Sequence, residues 1–140
     1  MKKKAIISVS SKQTEDVDDV IEVVTPGSFY KRDDTYYAIY KETKISGMEG
    51  TTTTLKASQD KFSLIRSGST TSKMEFYKGK ENISMYDTPY GTLELKTQTK
   101  KLIVNLDDDG GKIFIDYTMS ISGNKPQDTL LEINIKTQQD

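Results

Sequence analysis

Apolar residues recur at every second position along most of this chain, the spacing of a β-strand with one buried face. Ala5, Ile7 and Val9 share one phase, and Ile21 and Val23 share another. The segment 35–42 sets Tyr36, Ala38, Tyr40 and Glu42 on one face, and 50–56 follows as a threonine-rich strand. Phe62, Leu64 and Arg66 align in the next candidate, followed by 72–78 and by a short segment carrying Ile83 and Met85. Leu93 and Leu95 keep odd phase while Leu102, Val104 and Leu106 keep even phase, so one long strand needs a bulge, bend or break between Thr97 and Lys101. Ile113, Ile115, Tyr117, Met119 and Ile121 form the cleanest stripe, with Lys112, Asp116 and Ser120 on the opposite face, and Leu131, Ile133 and Ile135 form the last. No segment shows an obvious helical period.

Turn chemistry separates these strands. Lys31 to Asp34, Gly68 with its Ser/Thr neighbours, Gly79-Lys80, Thr88-Pro-Tyr-Gly91 and Asp107 to Lys112 all read as hairpin connections. Gly47 and Gly50 flank Met48-Glu49 directly before four threonines; glycines able to reach positive φ should reverse the chain there, leaving Met48 at a barrel end or mouth. Thr25-Pro26-Gly27 predicts a bulge or kink, because proline lacks the ladder donor. About ten strands joined mostly by short hairpins hide their edges best by closing on themselves. The expectation is therefore an all-β chain, residues 1–140 as a single domain, folded as an antiparallel up-and-down barrel of about 8–10 strands. A barrel of about eight strands has an interior wide enough for side chains or one small ligand.

Composition supports the strand reading. Eight tyrosines and seventeen threonines stand where helical proteins carry Leu and Ala. The charges nearly cancel, at 20 basic against 21 acidic residues, so no global field draws the chain to nucleic acid or an anionic membrane, and neither partner is expected. The apolar part of Met1-Lys-Lys-Lys-Ala-Ile-Ile-Ser-Val-Ser is shorter than the ~7–15 residues of a signal peptide's core and reads as the first strand. Without cysteine there is no disulfide framework, which fits a reducing cytoplasm, the compartment expected here. Oligomeric state is left open.

The sequence contains no histidine. Histidine-based nucleophile pairs, general bases and metal ligands are thereby excluded, and thiolate zinc and iron–sulfur sites go with the missing cysteine. Asp107 to Asp109 lacks the spaced ligands and closing Glu of a calcium loop, and Gly68-Ser-Thr-Thr-Ser-Lys73 lacks the second glycine of a phosphate loop. Both read as turns. No metal or cofactor is expected.

Two charges lie in line with apolar stripes. Glu42 follows Tyr36, Ala38 and Tyr40, and Arg66 follows Phe62 and Leu64. At strand ends such charges reach solvent or close the barrel end; pointing inward, each needs a partner, whether protein or ligand. Arg66 has two candidate roles: gripping a ligand carboxylate with two parallel hydrogen bonds, or pairing with Glu42 to close the barrel.

At Tyr36-Tyr-Ala-Ile-Tyr-Lys-Glu42, Ser46-Gly-Met-Glu-Gly-Thr51, Leu64-Ile-Arg-Ser-Gly68, Met74-Glu-Phe76, Thr88-Pro-Tyr-Gly91 and Asp116-Tyr-Thr-Met-Ser120, the chain resembles the YwiB-like family of uncharacterised bacterial proteins. The resemblance runs over nearly the whole length. It implies a calycin, lipocalin-like barrel and no established activity. By analogy with calycin barrels that carry ligands, the leading expectation is binding of a small molecule, an anionic amphiphile first, with Tyr36, Tyr40, Glu42, Arg66, Phe76 and Tyr117 as the ligand-binding residues. A protein-interaction or scaffold module with a filled barrel is the alternative. A third reading, a cofactor-free lyase-type enzyme, rests on calycin-fold decarboxylases that work through Tyr, Arg and Glu; it requires Glu42 and Arg66 to face one enclosed space.

Overall fold

The computed structural model of the chain describes residues 2–13, 20–43, 49–68, 71–88 and 90–138. Among these, ten strands follow one another: β1 (Lys3–Gln13), β2 (Val20–Arg32), β3 (Thr35–Lys41), β4 (Thr51–Ala57), β5 (Lys61–Gly68), β6 (Thr71–Tyr77), β7 (Glu81–Thr88), β8 (Gly91–Asp107), β9 (Gly110–Ile121) and β10 (Gln127–Thr137). Each strand pairs antiparallel with the next, and β1 pairs with β10 to close the barrel. No helix among the described residues is long and apolar enough to cross a membrane.

Most of the alternating residues fall on the expected faces; Ile83 and Met85 of β7, and Ile121 at the end of the β9 stripe, are exposed instead. Ala5, Ile7, Phe29, Ala38, Leu55, Phe62, Leu102, Ile113, Ile115 and Ile133 are buried in the interior. The change of phase in β8 is a register shift between Thr99 and Lys101, where the bulge leaves Lys100 without a partner position on β9 and returns Leu102 to the inside. The kink expected at Pro26 does not occur. β2 runs unbroken through it, in regular register with β1. Its pairing with β3 ends at Gly27 opposite Tyr40, so Pro26 falls just beyond the β3 ladder.

Two glycines set close approaches. Gly50 has φ of +91°, as the sequence predicts, whereas Gly47 and Met48 lie outside the described residues. Gly68, opposite Thr51, has φ of +136°, and a Cβ there would come within 2.2 Å of the Gly50 carbonyl oxygen. Any side chain at Gly68 would therefore force β5 away from β4.

β6 and β7 form the least regular joint. They pair at Thr71↔Asp87 and Ser72↔Tyr86, and further down the Asn82 Nδ2 donates to the Glu75 carbonyl at 3.3 Å in place of a backbone ladder. On the outer face of β6 the Glu75 carboxylate accepts from the Tyr77 hydroxyl and pairs with Lys61 and Lys73 at 3.2 and 3.1 Å. These partners, the Tyr77 hydrogen bond foremost, lower the Glu75 pKa to about 2.

Two stability measurements follow from this arrangement. Ile115 is fully buried, and Ile115→Ala should cost roughly 2–5 kcal/mol in urea unfolding; a loss below about half a kcal/mol would place it on the surface. The depressed Glu75 pKa means that its contribution is fully present above the ordinary carboxylate range and is lost as pH falls toward 2. Glu75→Gln should be less stable than wild type at neutral pH, and the two stability curves should converge between pH 4.5 and 2.

Candidate functional site

One row of inward-facing residues crosses five neighbouring strands. Gly27 of β2 is opposite Tyr40 of β3, Tyr40 opposite Thr53 of β4, Thr53 opposite Arg66 of β5, and Arg66 opposite Ser72 of β6. Antiparallel partners share a face, so the register alone brings these side chains together. Gly27 makes room for the row, since a Cβ there would lie 3.1 Å from the Tyr40 Cβ and 2.4 Å from the Ile39 carbonyl oxygen. Glu42, one inward position beyond Tyr40, is tied to β4 by its backbone N–H donating to the Thr51 carbonyl at 2.8 Å.

These residues border a cavity of about 250 Å³ at the end of the barrel away from the chain termini. Tyr40, Glu42, Arg66, Phe76 and Tyr117 line it together with an apolar wall that includes Val9, Val23, Leu64, Met74 and Leu131. Ile21 and Met119 stand at its rim, where Ile21 is exposed. Phe76 packs edge-on against Tyr117, with ring centroids 4.8 Å apart. Five of the six residues expected at a ligand site are therefore neighbours. Tyr36 is not among them: it stacks on Phe29 at the opposite end and borders two depressions of about 220 and 460 Å³ beside Lys31. Those depressions are larger in sum, but the buried ionisable groups converge on the mouth.

The electrostatics of the mouth centre on Glu42, whose side chain is only 2% exposed. The Thr53 hydroxyl donates to its Oε2, and the Tyr40 hydroxyl is in hydrogen-bond contact with both Glu42 and Thr53. Burial first, and the Glu42 charge second, push the Tyr40 phenol well above its ordinary pKa, so at neutral pH it is a proton donor. Burial likewise raises Tyr117, which hydrogen-bonds Thr129. Arg66 Nε lies 3.8 Å from Glu42 Oε2, close enough for charge pairing and too far for a hydrogen bond. Its Nε–H is buried with no hydrogen-bond acceptor among the described residues. Arg66 thus stands beside Glu42 as a counter-charge and keeps one donor without a partner among the described residues.

Thr53, Ser72 and Gly27 are absent from the sequence-predicted set. Thr53 is one of four consecutive threonines, and Ser72 follows a Ser/Thr-rich turn; neither composition marks a site. Strand register is the signal that selects them, and it requires the pairing partners to be known.

Fold and site define a closed, ten-stranded antiparallel barrel with a cavity at one mouth and a buried carboxylate–guanidinium pair on its wall. Residues 6–133 match the domain of unknown function DUF1934, and the chain belongs to that family. It is 34% identical over 104 residues to a Bacillus subtilis (strain 168) protein described as uncharacterized beta-barrel protein YwiB, an alignment covering 74% of this chain and 71% of that one. The crystal structure of ywiB protein from Bacillus subtilis superposes with a TM-score of 0.87 at 28% identity, over 99% of this chain and 94% of that one. The expected membership in a YwiB-like barrel family is thereby established.

The ion pair can be tested by a double-mutant cycle. Arg66→Met leaves Glu42 buried without its counter-charge and should cost about 3 kcal/mol, the lower end for a broken buried pair because the Arg66 side chain is 21% exposed. Adding Glu42→Gln should recover most of that loss. Equal urea midpoints for wild type and Arg66→Met would show that Arg66 does not support Glu42.

Proposed function

We propose that this protein binds a small amphiphile in the barrel mouth, with Arg66 receiving its polar end and the apolar wall its hydrocarbon. The observation that carries the proposal is the buried Nε–H of Arg66, which lacks an acceptor among the described residues and lies at the edge of a largely apolar cavity. A guanidinium donates and never accepts, so its complement is an acceptor oxygen, and an anion adds charge attraction. Glu42 opposes an anion, but it is the more distant charge once a ligand touches Arg66. Its own oxygens are occupied by Thr53 and Tyr40. At an effective dielectric near 20, a contact at about 4 Å contributes ~4 kcal/mol and one at about 6 Å under ~3, so attraction wins by a small margin. That margin favours a monoanion held reversibly.

The cavity is smaller than the ~300–1,000 Å³ of sites for drug-sized ligands, so the ligand is short or extends past Ile21. The partly open interior favours ligand binding over a scaffold with a filled barrel. Of the lyase-type candidates, Tyr40, Glu42 and Arg66 border one cavity while Tyr36 lies at the opposite end. Yet Tyr40 is held protonated and Glu42 is occupied by donors, an arrangement that favours holding a ligand over removing a proton from it.

Titration calorimetry with octanoate and octanol tests the reading. Wild type should bind octanoate saturably and about tenfold more tightly than octanol, the difference one charge-assisted hydrogen bond supplies. The Glu42→Gln/Arg66→Met variant, folded by the cycle above, should lose octanoate binding. No octanoate binding by wild type, or full binding by that variant, would remove the proposal.

A further inference from the structure

Arg66 has a second neighbour whose polar group is unexplained. Ser72 faces it directly across the β5–β6 ladder, is only 4% exposed, and has an Oγ with no hydrogen-bond partner among the described residues. Directly opposed residues of an antiparallel pair have Cβ atoms about 4.5–5.5 Å apart. The guanidinium N–H, which borders the cavity, and the serine hydroxyl, on the neighbouring strand just beyond the lining residues, are thus two polar groups without partners among the described residues at directly opposed positions. Buried polar groups in native proteins almost always have partners, and two adjacent exceptions call for something that satisfies both. Met74 and Phe76, the next inward residues on β6, already line the cavity, so Ser72 belongs to the strand that forms its wall.

We propose that Arg66 and Ser72 form a two-donor clasp for a carboxylate, Arg66 Nε–H donating to one oxygen and Ser72 Oγ–H to the other. This deepens the small-amphiphile reading and rests on it. An ammonium ligand is rejected, because the guanidinium can only donate and repels positive charge. A phosphate monoester is disfavoured, because its second negative charge would face Glu42, and Arg66 is the one cationic residue lining the cavity among the described residues. The clasp therefore assigns the ligand class as monocarboxylic acids with a hydrocarbon tail, and Ser72 as the residue that separates acid from alcohol. An alcohol presents a single uncharged oxygen, so a second donor adds less to it than to a carboxylate with two charged ones.

Ser72→Ala tests this assignment with octanoate and octanol measured side by side on wild type and variant. The expected result is about a tenfold loss of octanoate affinity, with octanol affinity changed less than about twofold, so that preference for the acid collapses. The melting temperature should hold or rise, since removing an unpartnered buried hydroxyl removes a penalty. Octanoate affinity equal to wild type would overturn the clasp while leaving the amphiphile reading in place. A parallel loss for both ligands, or a marked drop in melting temperature, would overturn it too, by giving Ser72 a structural role. Failure of wild type to bind octanoate would overturn the amphiphile reading and the clasp with it.

Discussion

The ladder between β1 and β10 is the constraint on which the rest of the barrel depends. It runs from Ala5↔Thr137 to Gln13↔Thr129 and joins the two ends of a meander that would otherwise present two long edges to solvent. Every other pairing is between sequence neighbours and can form locally; this one must close a loop of more than a hundred residues. Once closed, it gives the sheet an inside. A period-two pattern then has one meaning for all ten strands, and a residue's parity decides whether it meets the core or water.

The barrel is not filled evenly along its axis. Toward the chain termini the inward positions carry Phe29, Phe62, Leu55, Ile7, Ile113 and Ile133, large side chains that are almost wholly buried. Toward the mouth the inward positions include Gly27, Thr53, Ser72, Thr97 and Thr99, with Tyr40, Glu42 and Arg66 among them. Smaller side chains at the same strand spacing leave space, and the cavity results. Its polarity has the same source. Thr53 and Tyr40 supply the hydroxyls that allow a carboxylate to be buried at Glu42, a group that would be intolerable against the aliphatic layers below.

Much of this was legible in the residue pattern. The number of strands, the break of phase in β8, the inward stripe on β9 and the shared face of Phe62, Leu64 and Arg66 all follow from parity, because a closed sheet leaves parity no freedom. Tyr40, Glu42, Arg66, Phe76 and Tyr117 could be nominated for the same reason. Tyr36 could not be separated from them, because parity records which face a residue occupies and not its height along the barrel axis. Height depends on the stagger between strands, which hairpin register sets. Ser72 was hidden for a related reason, since its importance comes from standing opposite Arg66. β7 departs from the rule altogether: Ile83 and Met85 point outward and are each 56% exposed, while Asn82 and Ser84 take the inward positions. Its joint with β6 is the least regular in the barrel, and Asn82 reaches across to the β6 backbone there. A polar inward residue has more use at that seam than an apolar one.

Departures from the ordinary rules of folding concentrate in the mouth half of the molecule. A carboxylate is buried, its guanidinium partner stands off at 3.8 Å, beyond hydrogen-bond distance, Ser72 and Thr99 carry buried hydroxyls without partners among the described residues, and Ile21 exposes a large apolar side chain at the rim. The half nearer the termini shows a conventional core. A sequence shaped for stability alone would replace the Glu42–Arg66 pair with packed hydrocarbon, which is often neutral or stabilising in other proteins. A site that must present a donor to an incoming ligand cannot do so, because a donor already satisfied by the protein has nothing to offer. Under the proposed ligand reading the long Arg66–Glu42 contact reconciles the two demands: close enough to neutralise the buried carboxylate, and loose enough to leave the Nε–H without an acceptor among the described residues. Local cost and available chemistry fall on the same residues, which is the pattern expected where a fold has been bent to a function.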